Sequence, residues 1–507
     1  MKPRLAPLLA LGAVGIFGAG ACAVGPDFVR PKAPETERYT PGDEPLKTVH
    51  ADGRSQELDP ELAMPEKWWQ LFGSPALDAT VEQALAGSLR LQAALATLKQ
   101  SESTLRAGYG VYYPSIDANA EASRQKSNPR AAGVNAPSSI FNLFTLSGTV
   151  SYALDVFGGA RRAAEGLEAG VEFQRYTGLA AYLALTGNVV NAVIARAAYQ
   201  AEIDATDSIR RAQKEQVDLL RAQVRAGTTA FSGVLSLEAQ LHATEASLAP
   251  LRVKRDQADH LLSTLAGRAP SEWSAPPVAL ADLAVPEKLP RSLPSRLVRQ
   301  RPDILSSEAL LHESSAQIGV ATAALYPSFT LSASYGQTNS VPGGLFGSNR
   351  NFWDFGAGIT APIFHGGTLR SQKQAAEEAY QAALANYRQT VLDAFAQVAD
   401  TLRAIEQDAL GLDAQARAMN ASGEALKLTR ANYRAGVSDY LAILTANSQF
   451  LQSRVAYFQG AAQRLQDTVA LLIALGGGWW NATPGEQESG ALGVLVPSPK
   501  PEPSQAP

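Results

Sequence analysis

An internal duplication constrains this chain more than any other feature. Three short motifs recur in the same order about 210 residues later. The pairs are Tyr113-Pro114-Ser115 with Tyr326-Pro327-Ser328, Gly158-Gly159 with Gly366-Gly367, and Arg225-Ala226-Gly227 with Arg434-Ala435-Gly436. A repeat of this length predicts that one arrangement of helices and strands is built twice.

Each copy contains two runs in which apolar and polar residues alternate. A period of two predicts strands with one apolar face, and runs of about 9–13 residues match tilted strands that cross a membrane. Aromatic residues cluster at the ends of the runs, as interfacial girdles do: Tyr112, Tyr113, Tyr326, Phe352 and Trp353. We therefore predict membrane β-hairpins at about 114–157 and 327–364, in preference to a soluble sandwich, whose strands are usually shorter.

Four strands are too few to form the membrane structure alone. A barrel of that size is too narrow to hold water. An open sheet leaves unpaired backbone groups in lipid, and each of them costs several kcal/mol. The sheet must therefore close by oligomerisation, although this reasoning does not fix the number of copies.

Long helical hairpins follow the strands. After each double glycine, a helix-compatible stretch runs without proline to Gly227 or Gly436, which gives helices of about 100 Å. In the second copy, apolar residues at alternating steps of four and three form a coiled-coil seam: Val391, Phe395, Val398, Leu402, Ile405, Ala409, Leu412, Ala416 and Met419. The returning helices have a similar spacing, and Pro250 predicts a kink in the first of them. The predicted fold class is mainly α with membrane β, internally duplicated, with four strands and long helical hairpins.

The N-terminus has the pattern of a secretory signal. Lys2 and Arg4 precede a short apolar stretch that ends in small residues at position 21. The alternative, a single membrane span, needs about 20 apolar residues, and Pro7 interrupts this stretch. Cys22 follows directly and resembles a bacterial lipoprotein site with a lipidated thiol, although Ala19 stands where such sites usually have leucine.

Composition excludes several other functions. A net charge of −4 gives no nucleic-acid footprint, and the single cysteine excludes intrachain disulfides and thiolate metal clusters. The five histidines are scattered without metal-ligand spacing. With no nucleophile elbow, phosphate loop or paired-carboxylate motif, we expect no enzyme, no metal and no cofactor beyond the covalent lipid on Cys22.

Further motifs resemble the TolC superfamily, specifically the lipoprotein outer-membrane factors of the OprM/NodT type. They are Gly25-Pro26-Asp27-Phe28, Trp68-Trp69, Arg301-Pro302-Asp303-Ile304 and Gly476-Gly477-Gly478-Trp479. The resemblance implies a homotrimer whose 12-stranded β-barrel in the outer membrane continues as a periplasmic α-helical barrel. It also implies two partners, a periplasmic adaptor (a membrane fusion protein) and an inner-membrane efflux transporter.

The resemblance also assigns residues around the second helical turn, which closes the periplasmic aperture in such channels. The apolar ring falls on Leu441, and the usual acidic ring falls on Thr445. Tyr433 matches an aromatic that latches the closed tip, but the latch's usual acidic partner falls on Gly233. Leu441 also fits the start of a coiled-coil seam, so both roles remain open for it.

The predicted organisation is a signal peptide (1–21), a lipidated arm (22–67), a first repeat (68–270), a linker (271–293), a second repeat (294–480) and a disordered tail (481–507). The predicted function is passive conduction in a tripartite efflux system, with the protein lipid-anchored in the bacterial outer membrane. A channel for type I protein secretion is the nearest alternative. A trimeric coiled-coil surface protein is a more distant one, because it leaves the duplication unexplained.

Overall fold

The computed structural model describes residues 23–41, 47–51, 53–129, 133, 135, 137–482 and 490–496. The predicted signal peptide and Cys22 therefore lie outside the described residues. The chain divides into two compact units. Among the described residues, unit one comprises 23–30, Lys99–Phe173 and Glu308–Asn386, and unit two comprises Pro31–Leu98, Gln174–Ser307, 387–482 and 490–496.

The described elements repeat in the predicted order. The helices are α1 (Pro75–Gly87), α2 (Leu89–Gly108), α3 (Gly159–Arg225), α4 (Phe231–Leu265), α5 (Pro294–Leu297), α6 (Pro302–Ala323), α7 (Thr368–Arg434), α8 (Tyr440–Ala474) and α9 (Gly490–Leu495). The strands are β1 (Glu57–Asp59), β2 (Ser115–Ser127), β3 (Ser139–Leu154), β4 (Lys288–Pro290), β5 (Ser328–Asn339) and β6 (Asn351–Thr360). Both α3 and α7 have 67 residues, and both α4 and α8 have 35, so the duplication extends to the lengths of the hairpins.

Unit one contains the four predicted strands as one antiparallel sheet in the order β2-β3-β5-β6. The register places apolar side chains in one row across the sheet: Ile116, Val150, Ala333 and Phe355. The next row, on the opposite face, is polar: Asp117, Thr149, Ser334 and Asp354. The predicted amphipathic sheet is thus confirmed. Its apolar side chains are exposed on the single chain, with Trp353 at 73% and Phe355 at 71%.

The fourth strand is shorter than the alternation in the sequence suggests. The apolar series runs to Ile363, but β6 ends at Thr360. Pro362 lies just beyond and has no N–H to donate to a neighbouring strand, so the pairing stops before it.

Unit two contains most of the buried helical core. The seam predicted on α7 is buried there at Val398, Leu402, Ile405, Ala409 and Leu412. Helix α4 continues through Pro250 without interruption. Trp68, Trp69 and Phe72 are also buried, on a 3-10 helix that precedes α1.

The arm before that 3-10 helix is held to α8 by one buried arginine. Arg464 is 1% exposed. It donates to Gln56 Oε1 at 3.1 Å, to the Ala51 carbonyl at 2.9 Å and to the Arg54 carbonyl at 3.1 Å. Strand β1, at the end of the same segment, pairs in parallel with β4.

Helix α9 departs from the disordered tail expected after residue 480. Its last residue, Leu495, is fully buried and fills the space at Gly178, where an added Cβ would collide with the leucine. A six-residue helix has little stability of its own, so this contact accounts for its order. The sequence did not predict this helix, because the surrounding residues have low hydrophobicity.

Candidate functional site

The candidate aperture begins at the turn between α7 and α8. Gly436 has φ of +75°, a left-handed conformation that glycine adopts without strain. The N–H of Gly436 donates to the Tyr433 carbonyl at 3.0 Å, and the N–H of Val437 donates to the Asn432 carbonyl at 2.9 Å. This pair of bonds closes the C-terminus of α7. Asp439 then caps α8 by accepting from the N–H of Ala442 at 3.0 Å.

The turn between α3 and α4 repeats this geometry. Gly227 has φ of +73°, its N–H donates to the Val224 carbonyl, and the N–H of Thr228 donates to the Gln223 carbonyl, both at 3.0 Å. The recurring Arg-Ala-Gly motif therefore specifies the same helix ending twice.

Leu441 and Thr445 lie one turn apart on the exposed face of α8. Leu441 is 65% exposed, and the Thr445 hydroxyl donates back to the Leu441 carbonyl at 3.1 Å. The opposite face of α8 is buried at Ile443 and Asn447. Within one chain, the Leu441 side chain is therefore not part of the buried face of α8.

The partner of Tyr433 is a glutamine, whereas the family's acidic partner falls on Gly233 in this chain, as the sequence indicated. The Tyr433 hydroxyl donates to Gln223 Oε1 at 3.3 Å, while Gly233 presents no side chain to it. Tyr440 packs edge-on against Tyr433 with ring centroids 6.0 Å apart, and its hydroxyl donates to Gln216 Oε1 at 3.4 Å. Burial and then the neighbouring Tyr433 raise the pKa of Tyr440 above its usual value. The Tyr440 phenol thus stays neutral and acts as a donor.

The two glutamines were missed by sequence reasoning. They are seven residues apart on α3 and so lie on one helical face, but polar residues with this spacing are common on long helices. A third group joins them: Asn447, which is fully buried, donates to Gln216 Oε1 at 3.4 Å and accepts from Arg430 at 2.9 Å. We call Gln216, Gln223, Tyr433, Tyr440 and Asn447 the tip network.

A second candidate region lies where the chain leaves the predicted lipidation site. The N–H of Val24 donates to the Phe157 carbonyl at 3.0 Å, just after the end of β3. Gly158 has φ of +78°, and a Cβ there would lie 2.6 Å from Ala23 Cα. Gly158 therefore lets the N-terminal segment pass close to the start of α3.

Charged side chains of unit one hold Asp27 and Phe28, the next part of the N-terminal segment, in place. Arg162 donates to Asp27 Oδ1 at 2.6 Å and to Glu165 Oε2 at 2.7 Å. His312 contacts Glu165 Oε1 at 2.9 Å and stacks on Phe28 with centroids 4.3 Å apart. Burial opposes ionisation of Glu165, but the hydrogen bonds from Arg162 and His312 outweigh it and lower the pKa of that carboxyl.

None of these clusters has the ligand set of a metal centre. Among the residues that the structure describes, no group of three or more His, Cys, Asp or Glu side chains is arranged to hold a metal ion. His312 is instead part of the packing of the N-terminal segment.

An amphipathic antiparallel sheet, together with duplicated helical hairpins that have matching glycine turns, defines a protein of the TolC-type outer-membrane channel class. The chain belongs to the outer membrane efflux protein family, whose sequence profile matches residues 80–268 and 293–477. The two matched segments correspond to the two copies of the repeat.

Known proteins align with nearly the whole chain. The toluene efflux pump outer membrane protein TtgC of Pseudomonas putida is 28% identical over 93% of this chain and 96% of its own length. Nodulation protein T of Rhizobium leguminosarum bv. viciae is 28% identical over 90% of this chain and 91% of its own. The solved structure of the outer-membrane channel OprN superposes with a TM-score of 0.80 and 29% identity, over 90% of this chain and 100% of that one.

The predicted superfamily, fold class and function are confirmed. The protein is an efflux channel of the bacterial outer membrane with its helical tunnel in the periplasm, a conduit and not an enzyme.

Proposed function

We propose that three copies of this chain form the exit duct of a tripartite pump and receive substrates from an inner-membrane transporter through a periplasmic adaptor. The four-stranded sheet is the observation that supports this trimer. Within the described chain, β2 pairs only with β3 and β6 only with β5, so each outer strand keeps one open edge. Open edges in lipid are costly, and three copies would supply twelve strands, enough for a barrel with a water-filled interior.

The names of the relatives support efflux of small molecules over protein secretion. TtgC is described as a component of a toluene efflux pump. By extension, this chain would serve a transporter that exports small molecules.

A lipid on Cys22 fits the position of the N-terminal segment. The bond from Val24 to Phe157 places residue 24 just beyond the end of a membrane strand, two positions from Cys22. Acyl chains there would start at the boundary of the bilayer and insert beside the barrel.

Leu441 would close the duct on the periplasmic side. In a trimer, three exposed leucines on equivalent helices would meet near the axis and exclude water by dewetting. Thr445 would add no charge to this constriction. The closed tip would be held by the neutral tip network in place of an acidic latch.

Single-channel recording on the purified full-length protein in planar bilayers tests this proposal. Leu441→Ser should raise the conductance by about twofold or more, because a hydroxyl lets water wet the constriction. Leu392→Ser is the matched control, since Leu392 is a similarly exposed leucine of α7 far from the turn in sequence, and it should leave conductance unchanged. Equal effects of the two variants on conductance would refute the assignment of the aperture, and the absence of channels in the parent and in both variants would refute the proposed duct.

A further inference from the structure

Beside the second helical turn, unit two contains a cavity of about 200 Å³. Leu219, Leu220 and Ile443 give it apolar walls, and the rings of Tyr433 and Tyr440 face it. A cavity of about 150 Å³ holds a benzene molecule. The space is therefore large enough for a single aromatic ring with one substituent.

The same cavity is lined by the cation Arg430. One terminal nitrogen of Arg430 donates to Asn447 Oδ1 at 2.9 Å. Its Nε is buried and has no hydrogen-bond partner among the described residues. No described carboxylate lies within 4.0 Å of this guanidinium. A buried N–H that stays unbonded is costly, so Arg430 has an unused capacity to bind an acceptor.

Arg434, one turn further along α7, lines the cavity as a second cation. Burial and then the charge of Arg434 lower the pKa of Arg430, although the carboxylate of Glu215 partly opposes them. Like charges four residues apart on a helix repel each other. A carboxylate placed between them would accept from Nε and reduce this repulsion. Arginine is well suited to such recognition because its donors are planar and always charged.

We propose that this cavity binds a small aromatic carboxylate, with its carboxylate group on Arg430 Nε and its ring between the apolar walls and the tyrosines. Occupation would press on Tyr433 and Tyr440, whose hydrogen bonds to Gln223 and Gln216 are long, at 3.3 and 3.4 Å. The ligand would thereby loosen the tip network and favour opening. This effect on opening rests on the proposed channel function, whereas the binding itself does not.

Binding is measured by calorimetry on the full-length protein in detergent, with benzoate as the probe. A dissociation constant on the order of 1 mM is expected for a ligand of this size. Benzyl alcohol has the same ring without the charge and should bind at least about tenfold more weakly. Equal binding of the two compounds, or no benzoate binding up to about 20 mM, would overturn the proposal.

Variants locate the site. Arg430→Gln keeps an amide donor for Asn447 but loses the charge, and it should weaken benzoate binding by about tenfold or more. Arg434→Gln changes an exposed residue, so the fold should tolerate the substitution. It should weaken benzoate binding severalfold. Arg403→Gln, another arginine of α7, which pairs with Glu406 at 2.9 Å, is the control and should bind like the parent. Unchanged binding in both the Arg430 and the Arg434 variants would refute the site.

Channel recordings with benzoate test the link to opening. Benzoate should raise the open probability of the parent but not of Arg430→Gln. Binding without any channel activity would refute the proposed function and leave the site standing. Channel activity without benzoate binding would refute the site and leave the proposed function standing. Benzoate binding that leaves the open probability unchanged would refute the coupling between binding and opening.

Discussion

Removing Arg464 should release the N-terminal arm from α8. The Arg464→Met substitution keeps a long apolar stem but removes three hydrogen bonds, to Gln56, Ala51 and Arg54. Each acceptor left buried and unpaired costs about 1–3 kcal/mol. These costs are not additive, because the Ala51 carbonyl still accepts from the N–H of Arg54 at 3.2 Å, Gln56 keeps its bond to Thr468 at 3.0 Å and the loop can relax. We expect local opening of the arm to become about 3–5 kcal/mol easier.

Hydrogen exchange measured by mass spectrometry reports this opening directly. Backbone N–H groups of the arm donate within it and to its neighbour: Thr48 to Gln56 O, Ala51 to Arg54 O, Arg54 to Ala51 O and Glu57 to Glu287 O. A loss of about 3–5 kcal/mol should accelerate their exchange by about two to three and a half orders of magnitude, because each 1.4 kcal/mol is a factor of ten.

Arg417→Met provides the control. The side chain of Arg417 on α7 is 76% exposed and pairs with Asp413 at 2.9 Å, and exposed ion pairs contribute about 0–1 kcal/mol. Exchange in the arm should match the parent in this variant. If Arg464→Met accelerates the arm less than tenfold, or no more than Arg417→Met does, the arm is held by its other contacts and the reasoning is wrong.

Three further predictions concern charge and lipidation. Thr445→Asp should place three negative charges in a narrow ring and make the trimer cation-selective and sensitive to block by divalent cations. If divalent cations already block the parent as strongly, the acidic ring lies elsewhere. Burial and then the neighbouring Asp408 carboxyl raise the pKa of Asp467 to about 7, above its unfolded value of about 4. The stability that this group contributes is therefore present at low pH and lost as pH rises from about 4 to 7. Asp467→Asn should flatten that decline in thermal unfolding, and a slope like the parent's would contradict the assignment. Cys22→Ser should lose labelled fatty acid while the trimer persists, and retained label would exclude Cys22 as the lipidated residue.

Much of the fold could be predicted because its signals are local and occur twice. Alternation over the strands fixes which side chains share a face, and the structure confirms this in the row from Ile116 to Phe355. The glycine turns could be located because only a left-handed residue closes those helices, and Gly227 and Gly436 both have positive φ. The seam on α7 was readable because its spacing repeats over several turns.

The partners of individual side chains could not be predicted in this way. Gln223 lies 210 positions from Tyr433, and Arg464 lies 408 positions from Gln56. Nothing in the local pattern around these residues indicates which polar groups will meet when long helices pack side by side. Leu495 is a similar case, since it orders a short helix only because Gly178 leaves room for it.

The sequence by itself determined the periodic features of this protein: the duplicated hairpins, the amphipathic strands and the turns, each set by the backbone geometry of neighbouring residues. The tertiary structure alone decided how the helical tip is held and where a buried arginine keeps an unused donor. Those features depend on contacts between distant segments, whose geometry is fixed by packing and not by any local preference of the chain.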